Sequence, residues 1–118
     1  DQLLWACDIN MVRGEDSFIR AHWAEKPLLW HIYPQEEQAH FDKLEAWLSV
    51  SATFISPAWQ NLQRAWVSES TNEALWATLL TQFTQARPQH TLFSEFLGQQ
   101  ETLCHKLMAF CAKKHDAI

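Results

Sequence analysis

Glycine occupies only two of 118 positions, Gly14 and Gly98, and nothing else in this chain restricts its fold as much. Sandwiches and barrels of many short strands need turn residues that tolerate positive φ roughly every 8–12 residues. Two glycines cannot supply those turns, nor a glycine-rich phosphate loop. Helices need neither. Apolar residues make up 47% of the chain, enough for a packed core and too many for a disordered one. The length suits one domain. Seven tryptophans recur with leucines at helical spacing.

A formal net charge of −5 argues against a nucleic-acid or anionic-membrane surface as partner. No apolar run approaches the ~20 residues of a membrane span. The three cysteines, Cys7, Cys104 and Cys111, are an odd set without a disulfide framework, which favours a reducing compartment. The opening Asp1-Gln2-Leu3-Leu4-Trp5 has no charged-then-apolar leader and reads as an internal piece of a longer, cytoplasmic protein.

The apolar run Leu3–Ile9 predicts a strand buried on both faces, as in a parallel sheet. Glu15 and Asp16 favour the positive end of a helix, so a helix should start between Gly14 and Ser17. Lys26-Pro27 stops it. Leu28–Tyr33, closed by Pro34, is a second strand candidate, giving strand–helix–strand over residues 1–34. Two strands make no stable sheet alone, so their edges should pair elsewhere, in a longer chain or in an oligomer.

Residues 35–118 read as helices. Phe41, Leu44, Trp47 and Leu48 form one stripe. Ser56-Pro57 is a cap followed by proline at the first helical position, and Ser70 to Glu73 has capping-box spacing. Arg87-Pro88 predicts a break. Beyond it a last helix carries Leu92 to Cys111, with an interruption at Gly98. The fold class is therefore α/β and helix-rich, a short β-α-β start followed by a helical layer.

The segment most suggestive of chemistry is Val12-Arg13-Gly14-Glu15-Asp16-Ser17. It lies where a strand turns into a helix, the place where open α/β sheets bind ligands. A helix start offers free N–H groups and a positive dipole end to phosphate. Arg13 suits phosphate oxygens, Ser17 can donate a hydroxyl, and Glu15 can accept from sugar or ribose hydroxyls. The plainer reading makes Glu15 and Asp16 helix starters and Arg13 a solvated turn residue. Elsewhere, Cys104, Cys111 and His115 share a helix face, either metal-directed or an ordinary core stripe. His31 is a structural histidine or a substrate contact, and Trp47, Trp59, Trp66 and Trp76 are helix packing or a sugar platform.

The stretch from Leu4 to Ala21, with Arg-Gly-Glu-Asp-Ser at its centre, resembles the protein-arginine rhamnosyltransferases that modify elongation factor P, the EarP family. The likeness continues through Trp23-Ala24, Lys26-Pro27, Trp30-His31-Ile32-Tyr33-Pro34-Gln35, His40 and Lys43-Leu44. It implies the C-terminal portion of a Rossmann-like nucleotide-binding domain in an inverting GT-B glycosyltransferase. The implied donor is dTDP-β-L-rhamnose, with no further cofactor and no metal, and the implied acceptor is an arginine of elongation factor P. Arg13, Glu15, Asp16, Ser17 and Tyr33 match donor-contacting positions, and Glu15 is the one candidate for a catalytic role. The family's general base and thymine-stacking aromatics have no counterpart in these residues. The alternative is a small cytoplasmic helical interaction module or chaperone without catalysis.

Overall fold

Leu28, Leu29 and Trp30 are all buried, and the molecule is assembled around them. The computed structural model describes residues 1–116. Leu28–Trp30 is strand β2, paired in parallel with β1, Asn10–Val12, so that Asn10 faces Leu28 and Val12 faces Trp30. The ladder is extended by the Asn10 N–H donating to the Pro27 carbonyl and the His31 N–H donating to that of Val12, both at 2.9 Å. Successive side chains of a strand point to opposite faces. Leu28 and Trp30 accordingly join one core with Val12, Ala21, Leu44 and Leu48, while Leu29 joins another with Trp59, Leu62 and Phe93. β2 is thus buried on both faces, whereas Met11 of β1 is exposed.

Helices α2 (Glu15–Trp23) and α3 (Ala39–Ser51) fill the first core, and α4 (Pro57–Val67) and α5 (Glu73–Gly98) fill most of the second. Among the described residues, the outer edge of β2 carries no third strand. Gln63 of α4, wholly buried, takes that role: its Oε1 accepts from the Trp30 N–H at 2.7 Å and its Nε2 donates to the Trp30 carbonyl. Trp59 Nε1 donates to the Leu28 carbonyl at 3.1 Å. Helix side chains therefore satisfy the edge groups that burial would otherwise leave orphaned.

Helix starts follow their residues. Gly14 precedes α2, and the helix ends at Trp23 before Glu25, in the left-handed region at φ 60°, and Lys26-Pro27. Ser56 caps α4 by accepting from the Trp59 N–H at 3.3 Å. The capping box expected of Ser70 and Glu73 does not form: the cap of α5 is Asn72, whose Oδ1 accepts from the Leu75 N–H at 3.0 Å, and Glu73 is the first helical residue.

Four further expectations need correction. Leu3–Ile9 is not a strand: Gln2–Ala6 forms a short helix, α1, and the paired residues begin at Asn10. An apolar run this short fits either conformation, and the Asn10 side chain decides by donating to the Leu4 carbonyl at 3.0 Å. The second strand stops at Trp30 rather than Tyr33, because β1 offers it only three residues. Pro88 lies within α5 and does not break it. The lost hydrogen bond to Thr84 costs about 3 kcal/mol, which burial of Leu79 and Ala86 before the proline and His90 and Phe93 after it offsets. Last, Leu92–Gly98 is the end of α5 and not the start of a new helix; the chain is interrupted after Gly98, as expected, and α6 spans Leu103–Asp116. None of α6 is buried, so Cys104, Cys111 and His115 lie on an exposed face and not in a core stripe.

Candidate functional site

Arg13 directly follows β1, Gly14 is the N-cap of α2, and Glu15, Asp16 and Ser17 form its first turn. The first helical hydrogen bond runs from the Phe18 N–H to the Gly14 carbonyl at 2.9 Å. The N–H groups of Glu15, Asp16 and Ser17 precede it and have no intrahelical acceptor. Gly14 has no side chain with which to cap them. Its φ is −67°, so the backbone does not require glycine, and a Cβ here would meet nothing within 4 Å. A bare backbone over an open helix start suits close approach by an anion.

Tyr33 lies in the loop after β2, and the Arg13 guanidinium stacks over its ring at 4.4 Å. The chain pairs β1 with β2 in register, and that register brings residues twenty apart in sequence side by side. Trp30 reinforces the junction: its Nε1 donates to the Arg13 carbonyl at 3.1 Å, and its ring stacks on Phe18 at 3.7 Å. Phe18 and Trp30 in turn meet Trp47 edge-on, an aromatic floor beneath the start of α2.

The two carboxylates of the first turn are held differently. Glu15 Oε1 accepts from Lys43 Nζ of α3 at 3.3 Å. Asp16 pairs with Arg20 at 3.2 Å on its own helix, and Arg20 also reaches Asp1. Arg13, Glu15, Asp16, Ser17 and Tyr33 are all exposed, and of the five Arg13 and Tyr33 are in contact. An apolar groove of about 360 Å³ begins beside it, lined by Glu15, Lys43, Phe18, Ile19, Trp30 and Trp47.

His22 lies below this groove. Its Nδ1 donates to the Phe18 carbonyl at 2.7 Å and its Nε2 accepts from Trp47 Nε1 at 3.0 Å. That arrangement needs a neutral ring, and burial accordingly holds its pKa below the usual histidine value. His31 approaches Glu69 at 3.7 Å and the ring of Trp66, on the α4 side. Trp47, Trp59, Trp66 and Trp76 pack within the cores, as helix packing predicts. Residue reasoning missed Trp30 and the contacts of α3. Only the Trp-His-Ile-Tyr and Lys43 portions of the resemblance touched them.

A parallel strand–helix–strand unit with an open helix start, backed by helices, defines a helix-rich α/β chain. Residues 1–112 match the family model for the Elongation-Factor P (EF-P) rhamnosyltransferase EarP, and the chain belongs to that family. A protein-arginine rhamnosyltransferase of Pseudomonas aeruginosa is 41% identical over 116 residues, covering 95% of this chain and 31% of that protein. One from Neisseria meningitidis is 40% identical over 128 aligned positions, all of this chain and 33% of the relative. One from Shewanella oneidensis reaches 58% over 57 residues, 48% of this chain and 14% of its own length. A solved structure described as the basis for EarP-mediated arginine glycosylation of translation elongation factor EF-P superimposes with a TM-score of 0.76 at 34% identity. It covers 95% of this chain and 36% of its own. The chain thus spans about a third of the relatives it matches.

Proposed function

We propose that this chain is the donor-binding portion of an inverting GT-B protein-arginine rhamnosyltransferase. Its parent transfers rhamnose from dTDP-β-L-rhamnose to an arginine of elongation factor P in the cytoplasm. The observation that carries this reading is Arg13 stacked on Tyr33 beside the uncapped start of α2. Arg13, the Ser17 hydroxyl and the free N–H groups of α2 receive the diphosphate. Glu15 and Asp16 accept from hydroxyls of the sugar and ribose. A departing diphosphate gains charge as the glycosidic bond breaks, so fixed cationic and N–H donors stabilise that transition state more than the bound donor. No metal is needed for that step. The base that activates the acceptor arginine comes from the other domain of the parent.

The test is Arg13→Ala in the full-length parent. Loss of one such donor lowers turnover by ~10²–10³, and the donor KM should rise with it. Near wild-type kinetics would remove Arg13 from the site. Glu15→Gln should impair transfer with an unchanged far-UV spectrum. A variant that unfolds instead would make Glu15 a helix-start residue.

A further inference from the structure

Two contacts on the donor side, one part-buried and one exposed, come from one turn of α3, and neither residue is among the donor-contacting positions. His40, buried near the start of α3, accepts the Gln35 N–H on its Nδ1 at 3.0 Å. Gln35 is two residues beyond Tyr33, and between it and His40 the chain holds Glu37 and Gln38 in the left-handed region, at φ 54° and 58°. That tight return is what lets α3 grip the loop carrying Tyr33. Three residues on, and so on the same face of the helix, Lys43 donates to Glu15 Oε1 at 3.3 Å. Glu15 stands at a helix start that is to receive a diphosphate, where a bare carboxylate would repel it. Lys43 offsets that charge and engages Oε1, which leaves Oε2 to accept from a hydroxyl.

We propose that His40 and Lys43 are positioning residues: from adjacent places on α3, His40 sets the Tyr33 loop and Lys43 sets Glu15. The inference rests on the donor-site reading above. It makes α3 the gauge of the distance between the two sides of the site, the Arg13–Tyr33 stack and the Glu15 carboxylate. Misplacement of a catalytic constellation by ~1 Å can cost up to about 10²-fold in rate.

The experiment is steady-state kinetics of the full-length parent with varied dTDP-rhamnose, on single and paired variants. Lys43→Ala and His40→Ala should each raise the donor KM by about tenfold or more, with Lys43→Arg and His40→Asn restoring most of it. Asparagine keeps an acceptor at the place of Nδ1. His40→Gln, which moves the acceptor toward the place of Nε2, should not rescue, and it serves as the comparison if His40→Ala does not fold. Coupling is the decisive readout. Lys43→Ala should add nothing to Glu15→Gln, and His40→Ala nothing to Tyr33→Ala. Additive losses, or Lys43→Ala with an unchanged donor KM, overturn the inference while the donor-site reading stands. An unimpaired Arg13→Ala in the same series overturns the reading beneath it.

Discussion

Gly14 is a residue whose reason lies outside the folded backbone. With φ at −67° and open space where a Cβ would go, alanine fits. Reduced freedom of the unfolded chain favours alanine by ~0.4–1 kcal/mol, and the poorer N-cap preference of alanine offsets a similar amount. Gly14→Ala should therefore change stability by less than about 1 kcal/mol in thermal unfolding, yet raise the donor KM of the parent several-fold by placing a methyl over the helix start. An unchanged KM would mean that the diphosphate does not cross that face. His90 shows the opposite case, a residue explained wholly by burial. Desolvation pushes its pKa down to about 4, against the upward pull of its Nδ1 bond to the Ala86 carbonyl. Burial moves His22 in the same direction. Because the folded state resists protonation, the unfolded state binds more protons between pH 6.5 and about 4. Stability is complete above pH 6.5 and falls as the pH drops through that window, by roughly 3 kcal/mol from His90 alone. Urea midpoints at pH 7.5, 6 and 4.5 would measure the fall, and His90→Gln should flatten it.

Among the elements, β2 depends on a side chain more than on its three-residue partner. Gln63 satisfies both outward backbone groups of Trp30 in a fully buried setting. Gln63→Leu keeps the volume and removes both partners, leaving a buried donor and acceptor unpaired. Each such group costs about 1–3 kcal/mol, so chemical denaturation should show a loss of roughly 2–5 kcal/mol. A loss under about 1 kcal/mol would mean that water reaches the edge. Trp30 also holds the Arg13 carbonyl, so the same variant should loosen the site. Much of the element level was legible beforehand. Glu15 and Asp16 marked the start of α2, Ser56-Pro57 that of α4, and the Leu28–Tyr33 run a strand, whereas burial on both faces was expected of Leu3–Ile9 instead. α1 and the continuity of α5 were not, because a hydrogen bond from Asn10 and burial on both sides of Pro88 outweigh local preference.

At the scale of the molecule, the candidate site is one wall. Arg13, Glu15, Asp16, Ser17 and Tyr33 all face solvent, and Tyr33 is 54% exposed. Exposed charges are screened within about 8–10 Å at ordinary salt, and immobilising a ligand costs several kcal/mol. The 118-residue chain should therefore bind dTDP no better than the millimolar range in calorimetric titration. It should also add no rhamnose to elongation factor P, read as the acceptor's mass. Micromolar binding would mean that this wall already holds most of the donor's affinity. Any product would mean that Glu15 or Asp16 can serve as base.

The amino-acid order alone determined what depends on near neighbours: the starts of α2 and α4, the apolar stripes, and the Arg-Gly-Glu-Asp-Ser turn with its cation and carboxylates. Those are set by capping, dipole and periodicity within a few residues, so they can be read along the chain. Only the tertiary structure decided that Tyr33 lies under Arg13, that Lys43 holds Glu15, and that Gln63 closes the sheet. These contacts span twenty to more than thirty positions. They exist because the pairing of β1 with β2, and the packing of α3 and α4 on that pair, fix distances that no local preference encodes.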